Sequence, residues 1–233
     1  MSRPLVSVVI AVYNGEETLV SAVQSVLAQD YRPFEVIVVD DGSEDRSGEI
    51  ARSIDAVRVI SQQNQGPGAA RNAGVAASAG EFLTFHDADD EALPHKLSLQ
   101  VDHLLRNPHV GCVVGRQDVE FVEIDQPDWL KRDAIFGDLA GIPFAPMMVR
   151  REAFQSAGGF DPDRKLQGSE DRDLMVRLSA AGVVIDVLPD ILIRRKFTGS
   201  NQSLRQPRSM LLTSLKSKLD RERSAAEARG DHT

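Results

Sequence analysis

Apolar, β-branched runs recur along the first 115 residues, and segments with helical spacing of apolar residues lie between them. The runs predict strands at residues 6–12, 34–39, 57–60, 81–85 and 110–114. The spacing between them predicts helices at residues 16–29, 47–53, 69–79 and 94–105. Nearly unbroken apolar runs are typical of strands that are buried on both faces of a parallel sheet. This alternation therefore predicts an α/β fold with a doubly wound parallel sheet and right-handed crossovers.

The second part of the chain is less regular. Residues 116–145 show weak periodicity, after which the pattern predicts short strands at 147–149, 183–188 and 191–193 and helices at 151–157 and 169–181. Pro207 begins a last predicted helix that carries Leu211, Leu215 and Leu219 on one face. We predict one domain over residues 1–204, divided into halves at residue 115, with a basic amphipathic helix and tail at 205–233.

Polar residues follow three of the predicted strands. Tyr13-Asn14 follows the first strand, Asp40-Asp41 the second, and Asp87 to Asp90 the fourth. The carboxyl ends of parallel strands meet at one edge of an open α/β sheet, and ligands bind there. We therefore expect these three groups to converge at one site.

The acidic run at Asp87, Asp89 and Asp90 places three like charges within four residues. Their repulsion costs stability unless a cation or solvent relieves it. Mg²⁺ commonly takes one or two carboxylates and completes its coordination with phosphates and water. A solvated loop, or the first turn of a helix, would account for the same residues.

Two further segments have an ambiguous pattern. Asp41 lies in an Asp-Gly turn sequence, and its carboxylate would also suit a ribose hydroxyl or a base N–H. Residues 65–74 place a glycine-bearing loop before a helix with Arg71 in its first turn, although they lack both the Walker and the dinucleotide glycine patterns. A helix N-terminus with a guanidinium suits a pyrophosphate, and a surface charge is the alternative.

Charged residues also mark two positions in the second part. Glu170 and Asp171 begin a predicted helix, where the helix dipole favours acidic residues and where Asp171 would also serve as a general base. Residues 194–196 form a basic triplet at the end of a strand, where they would neutralise a diphosphate leaving group or form a solvated edge.

Composition excludes several classes of protein. The net charge of −8 does not favour general binding to nucleic acids. Cys112 is the only cysteine, so no intrachain disulfide is expected. No apolar run approaches the roughly 18 residues of a membrane span, and the N-terminus lacks a signal-peptide pattern. We expect a cytoplasmic protein. Between Arg205 and Arg229 there are seven basic and three acidic residues, so this segment carries a net charge of +4 and the rest of the chain −12. The basic helix predicted at 205–233 would contact anionic lipid at the inner membrane face, or pack against the domain or a dimer partner.

Five motifs occur in an order that resembles the family-two glycosyltransferases, which are inverting enzymes with the GT-A fold. They cover roughly residues 4 to 200. The motifs are Val6 to Asn14, Val38 to Ser43, Gly66 to Gly74 with Ala70-Arg71-Asn72 at its centre, Asp87 to Asp90, and Gly168 to Asp171. The resemblance implies a Rossmann-like, mostly parallel sheet flanked by helices. It also implies that residues 1–115 bind a nucleotide sugar, and that residues 116–204 form a smaller, mixed acceptor-side region.

The resemblance implies roles for the donor-binding residues. Ala11, Tyr13 and Glu17 would line the nucleotide pocket, Asp41 would hold the base, and Arg71 would lie near the diphosphate or ribose. The run Asp87-Ala88-Asp89 matches the family's Asp-x-Asp motif. Asp89 would bind Mn²⁺ or Mg²⁺ directly, with Asp87 as a second candidate ligand.

The resemblance also implies a mechanism. Asp171 would act as the general base, and Glu170 would shape the acceptor side. The chain would move a sugar from a nucleotide-diphosphate sugar, with a UDP-sugar favoured, to a hydroxyl of a glycan or a lipid-linked acceptor in polysaccharide biosynthesis. A glycosyltransferase-like module that binds a nucleotide or glycan without catalysis is the alternative. A nucleotidyltransferase is disfavoured, because Gly15-Glu16-Glu17 is too acidic to hold a triphosphate.

Two positions depart from the family pattern. His86 stands where many relatives have leucine, and we expect an orienting or structural histidine there. Many relatives also carry Arg-x-His near residues 194–201, whereas this chain has Arg195-Lys196-Phe197. The metal shell is therefore expected to be incomplete. Either Arg195 or Lys196 replaces part of the positive charge, or the enzyme depends only weakly on metal.

Overall fold

The computed structural model describes residues 3–121 and 146–197. Within them, eight strands form one sheet in the order β3-β2-β1-β4-β7-β6-β8-β5. The strands are β1 Val6–Val12, β2 Phe34–Asp40, β3 Arg58–Ser61, β4 Phe82–Asp87, β5 Asp90–Ala92, β6 Val110–Phe121, β7 Met147–Arg150 and β8 Val184–Phe197. The helices are α1 Leu19–Leu27, α2 Ser47–Arg52, α3 Pro67–Ala76, α4 Lys96–Arg106, α5 Arg151–Ser156 and α6 Glu170–Ala180, with a 3₁₀ turn at Arg164–Leu166.

The first half of the sheet matches the prediction from the sequence. β1 lies between β2 and β4 and is parallel to both. Ala11 of β1 aligns with Val39 of β2 and with Asp87 of β4. The carboxyl ends of three strands are therefore level, and this brings the polar residues that follow them to one edge.

The mixed part of the sheet lies in its second half, as the resemblance implies, whereas the five strands predicted in the first 115 residues, now β1, β2, β3, β4 and β6, all run in the same direction. β7 lies between β4 and β6 and is antiparallel to both, so the fifth predicted strand does not neighbour the fourth. β5 is antiparallel to β8. An apolar run does not specify strand direction, because either direction buries the same side chains.

β6 and β8 are longer than the predicted strands at 110–114, 183–188 and 191–193. The two short strands predicted on either side of Pro189 form one continuous strand. The register with β6 is irregular between Val114 and Arg116, and residues 188–190 lie in this irregularity. Proline cannot donate to a sheet ladder, and a bulge is one place where a strand tolerates it. β8 thus extends from the core to the carboxyl edge, where Arg195 pairs with Asp90 of β5.

Two hydrophobic cores cover the two faces of the sheet. One contains α1, α2 and α4, and the other contains α3, α5 and α6. Alternate residues of β1 enter different cores, as Val8 and Val9 do. This explains the unbroken apolar run of that strand. Cys112 lies in the second core, where burial raises the pKa of its thiol.

Several predictions fall on residues that the structure does not describe. The helix from Pro207, its apolar stripe and its proposed lipid or dimer contacts lie there, as do residues 122–145. The division at residues 115 and 204 stays a prediction. In the described ranges, none of the helices combines the length and the apolar character that a membrane crossing demands.

Candidate active site

A cavity of about 310 Å³ opens at the carboxyl edge beside β1 and β2. Its lining residues come from both halves of the chain. They are Ala11, Val12, Tyr13, Asp41, Asn64, Gly66, Pro67, Arg164 and Gln167. A narrower crevice shares Gly66, Pro67, Arg164 and Gln167 with the cavity and extends to Glu170.

Asp41 fixes the loop that forms one wall of this cavity. Its Oδ1 accepts hydrogen bonds from Gln62 Nε2 at 2.7 Å and from the Gln65 N–H at 2.9 Å. Its Oδ2 accepts from the Gly66 N–H at 2.8 Å. Gly66 has φ of 95°, a conformation that favours glycine, and it leads directly into α3. The Asp41 carboxylate therefore positions the N-terminus of α3 at the cavity.

The loop after β1 is tied to the loop after β2. The Asn14 N–H donates to Ser43 Oγ at 3.1 Å, and the Gly15 N–H donates to Ser47 Oγ at 2.8 Å. These bonds hold Tyr13 at the mouth of the cavity, where it is 47% exposed. Glu17 is exposed just before α1, and its role in the nucleotide pocket stays a prediction.

Arg71 lies in α3 and joins three carboxylates. Its Nη1 donates to Glu170 at 2.7 Å, its Nη2 donates to Asp87 at 2.8 Å, and Asp171 lies 3.6 Å away. Burial lowers the pKa of Arg71, but the three carboxylates raise it well above the ordinary value. Arg71 thus brings the acidic run after β4 and the first turn of α6 to one point.

Arg195 is the second cation at the acidic run. It contacts Asp90 through both oxygens and Asp87 through Oδ2. Burial tends to raise the pKa of Asp87, but Arg195 and Arg71 hold it at about 2. The repulsion that the sequence indicates is therefore relieved by two guanidinium groups. Asp89 lies exposed in the connection between β4 and β5, and Lys196 is exposed beside Arg195.

Asp171 begins α6 with Glu170, and its side chain is 26% exposed. Burial raises the pKa of Asp171 to about 6, Glu170 and Asp87 act in the same direction, and Arg71 opposes them. Glu170 is buried, with Oε1 bound to Arg71 and Oε2 without a hydrogen-bond partner in the described part of the chain. A partly exposed carboxylate with this pKa can exchange a proton near neutral pH.

Comparison with known proteins gives the family. The model of the family described as "Glycosyl transferase family 2" matches residues 7–157. This chain belongs to that family. An uncharacterised glycosyltransferase of Nostoc sp. is 42% identical over 113 residues, which are 46% of this chain and 35% of that protein. The succinoglycan biosynthesis protein ExoO of Rhizobium meliloti is 36% identical over 125 residues, or 52% of this chain and 35% of ExoO.

The chain spans between about a third and a half of the length of these curated relatives. A longer match is the putative glycosyltransferase EpsE of Bacillus subtilis, 28% identical over 78% of this chain and 69% of EpsE.

Solved structures confirm the predicted GT-A fold. The mannosyltransferase PcManGT from Pyrobaculum calidifontis, in complex with GDP-Man and Mn²⁺, superposes with a TM-score of 0.74 at 20% identity, over 94% of this chain and 65% of PcManGT. S. aureus TarS 1-349 in complex with UDP-GlcNAc gives 0.71 at 21% identity, over 89% of this chain and 64% of that one. At these identities the likeness concerns the fold.

Divalent metals are common in GT-A glycosyltransferases, but the described carboxylates of this family member do not form a preassembled cation site. Within residues 3–121 and 146–197, no group of three or more His, Cys, Asp or Glu residues could hold a metal. Both oxygens of Asp87 and both of Asp90 accept hydrogen bonds from guanidinium groups. A metal that bound Asp87 would have to compete with Arg71 and Arg195 for this carboxylate.

His86 packs beneath the acidic run. It is buried, and its Nε2 donates to the Asp90 carbonyl oxygen at 3.1 Å. Burial, together with the nearby Lys96, lowers the pKa of His86 to about 4. His86 is therefore neutral near pH 7 and orients the backbone of the β4–β5 connection, as expected for a structural histidine.

Three cavity residues were not predicted from the sequence. Asn64 lies in the polar loop before α3, and Arg164 and Gln167 lie in and after the 3₁₀ turn. No local pattern distinguishes them, because their place depends on how the two halves pack. The nearest sequence signal for this packing is Gly68. A Cβ at this position would lie only 2.8 Å from the Asp161 carbonyl oxygen, so glycine is needed for the two halves to pack this closely.

Proposed function

We propose that this chain is an inverting glycosyltransferase that transfers a sugar from a nucleoside-diphosphate sugar to an acceptor hydroxyl. The observation that carries the proposal is the placement of Asp171. Its partly exposed carboxylate lies beside Arg71, which also contacts the acidic run, and its neighbour Glu170 lines the crevice continuous with the cavity. A donor site and a base therefore meet at one edge of the sheet.

The nucleoside would occupy the 310 Å³ cavity. Ala11 and Tyr13 would form its wall, and Asp41 would hold the base directly or through the loop that it fixes. The diphosphate would extend toward Asp87 and Ala88, where the guanidinium groups of Arg71 and Arg195 converge. A uridine or a guanosine diphosphate sugar suits this arrangement. A UDP-sugar is the favoured donor.

Asp171 would accept the proton of the acceptor hydroxyl as its oxygen attacks the anomeric carbon. The bond from that carbon to the diphosphate oxygen breaks, and its electron pair leaves with the nucleoside diphosphate. Attack opposite the leaving group inverts the configuration, so no covalent sugar–enzyme intermediate forms. Glu170 would shape the acceptor side, and Arg195 and Lys196 would stabilise the negative charge that develops on the diphosphate.

Coordination of Mn²⁺ or Mg²⁺ by Asp89 stays a prediction, and no step above depends on it. The acceptor class, a glycan or a lipid-linked sugar, is likewise a proposal, as is a place in polysaccharide biosynthesis. The ExoO relative carries succinoglycan biosynthesis in its name, which supports that direction.

Release of nucleoside diphosphate tests the proposal. The full chain is incubated with UDP- and GDP-sugars, with water or a glycan as acceptor, and the anomer of the released sugar is read by proton NMR. Asp171→Asn is expected to lower the rate by about 10²- to 10⁴-fold while leaving nucleotide affinity within about threefold.

Asp102→Asn is the matched control, because Asp102 is an exposed carboxylate on α4 with Arg106 at 3.5 Å. It should transfer like the wild type. Nucleotide binding with no turnover of any donor would support the non-catalytic module instead, and wild-type rates in Asp171→Asn would reject Asp171 as the base.

A further inference from the structure

Arg195 connects the end of the chain's last described strand to the acidic run after β4. Its Nε donates to Asp90 Oδ1 at 3.0 Å and to Oδ2 at 3.2 Å, and its Nη2 donates to Asp90 Oδ2 at 2.8 Å. Nη2 also donates to Asp87 Oδ2. The side chain of Arg195 is 14% exposed and that of Asp90 only 1%. The guanidinium of Arg195 is therefore a nearly buried part of the candidate active site.

The neighbouring arginine shows that this placement is specific. Arg194 alternates to the other face of β8, is 42% exposed, and contacts Glu91 at 3.0 Å and Asp118 at 3.7 Å. These contacts are away from Asp87 and Asp90. Residues 194 and 195 therefore carry the same side chain but place it in different environments.

Each oxygen of Asp87 accepts a guanidinium N–H. Arg71 Nη2 binds Oδ1 at 2.8 Å and Arg195 Nη2 binds Oδ2. A divalent ion that bound Asp87 would compete with the guanidinium of Arg195, which is nearly buried and also holds Asp90. Separating a buried charge from its partner is unfavourable.

The contacts described above use Nε and Nη2 of Arg195. Among the hydrogen bonds of the described residues, none uses Arg195 Nη1. Nη1 carries two N–H donors in the planar geometry that suits a phosphate oxygen. The same group can therefore hold Asp87 and Asp90 and bind an anion.

We infer that Arg195 is a resident cation of this site. It holds Asp87, one of the two candidate metal ligands, together with Asp90, and it meets the diphosphate of the donor through Nη1. This inference rests on the proposed function for the identity of the anion. Its first consequence concerns metal affinity alone: the chain binds Mn²⁺ weakly without nucleotide, because Arg195 competes with the metal for the carboxylates.

Titration of the full chain with Mn²⁺ in the absence of nucleotide, followed by the EPR signal of free Mn²⁺, tests that consequence. Wild type and Arg194→Gln are expected to bind weakly and alike. Arg195→Gln is expected to bind Mn²⁺ at least about tenfold more tightly, because Asp90 loses its counter-charge and Asp87 keeps only Arg71. Adding Asp87→Asn to Arg195→Gln should remove that gain.

Arg195→Lys is a second variant, which keeps the charge and should keep the weak affinity for Mn²⁺. Tight, saturable Mn²⁺ binding by the wild type would overturn the inference and needs no variant to fold. An unchanged affinity in a folded Arg195→Gln would also overturn it.

Donor turnover in EDTA is the second readout. The wild type should retain nucleoside diphosphate release, whereas Arg195→Gln should depend on added Mn²⁺. Complete loss of release from the wild type in EDTA would overturn the inference. If no donor is turned over under any condition, the proposed function fails and the Mn²⁺ titration still decides the role of Arg195.

Discussion

Arg71 Nη1 and Glu170 Oε1 lie 2.7 Å apart, and both side chains are nearly buried. The two residues are 99 positions apart in the sequence. This ion pair connects α3, whose N-terminus borders the cavity of about 310 Å³, to the first turn of α6, which carries Asp171. The proposed base is therefore held in place by the same arginine that contacts the acidic run.

Arg71→Met is expected to lower the free energy of unfolding by about 3–5 kcal/mol. The substitution leaves the buried Glu170 without its partner and Asp87 with Arg195 alone, and breaking a buried ion pair from one side is strongly destabilising. Urea denaturation followed by circular dichroism measures the change. Arg46→Met is the control, since Arg46 and Glu49 are about 70% exposed and such a pair contributes at most about 1 kcal/mol. Equal losses in the two variants would contradict the assigned role.

The pH dependence of transfer should show the titration of Asp171. Because its pKa is raised to about 6, the carboxylate becomes protonated below that pH, and a protonated base cannot accept a proton. The value of kcat/KM is expected to fall about tenfold per pH unit below pH 6. A profile that stays flat down to pH 4, near the ordinary value for aspartate, would exclude Asp171 as the titrating base.

Asp41→Asn is expected to weaken nucleotide binding at least about tenfold and to lower stability by about 1–3 kcal/mol. The amide cannot accept all three N–H donors that now converge on the carboxylate, from Gln62, Gln65 and Gly66. Calorimetric titration with UDP and GDP measures the loss. Asp45→Asn is the control, because Asp45 also accepts backbone N–H groups but does not line the cavity. A similar loss in both variants would argue against a specific role for Asp41.

Lys96→Met is expected to stabilise the protein below pH 7. Lys96 is buried, its Nζ donates to Thr84 Oγ1 at 2.6 Å, and burial lowers its pKa from 10.5 to about 7. Below pH 7 the folded chain carries a buried ammonium, at a cost on the order of 2–5 kcal/mol. The Thr84 hydroxyl already donates to the Met147 carbonyl oxygen, so the substitution leaves it bonded.

The pH trend of this effect has a definite sign. Between pH 7 and 10.5 the unfolded lysine binds more protons than the folded one, so this group makes the wild type more stable as pH rises. The advantage of Lys96→Met should therefore shrink from pH 7 toward pH 10.5. Thermal melts across this range measure it, with Lys165→Met, an exposed lysine, as the control. An advantage that grows with pH would contradict this account of Lys96.

The sequence predicts the first half of the fold well, because β1, β2 and β4 are largely buried and consist mainly of apolar residues. It also places Asp41 and Asp87 at the correct edge. The sequence does not predict the antiparallel insertion of β7, since strand direction depends on connections rather than on hydrophobicity.

A local sequence pattern does not predict the contacts of Arg71 and Arg195 either. Arg71 was predicted as a ligand of the diphosphate or ribose, and the structure adds its contacts with three carboxylates. Arg195 lies 108 residues from Asp87, so only the folded sheet brings the two together. Long-range ion pairs of this kind depend on packing between the halves of the chain.

The salt-bridge network at the sheet edge also bears on recombination between members of the family. The family match ends at residue 157, whereas Asp171 and Arg195 follow it and contact Arg71 and Asp87 before it. A chimera that joins the first half of this chain to the second half of another member would separate these residues. Such hybrids should fold and retain donor binding only when the incoming half supplies matching charges at positions 170, 171 and 195.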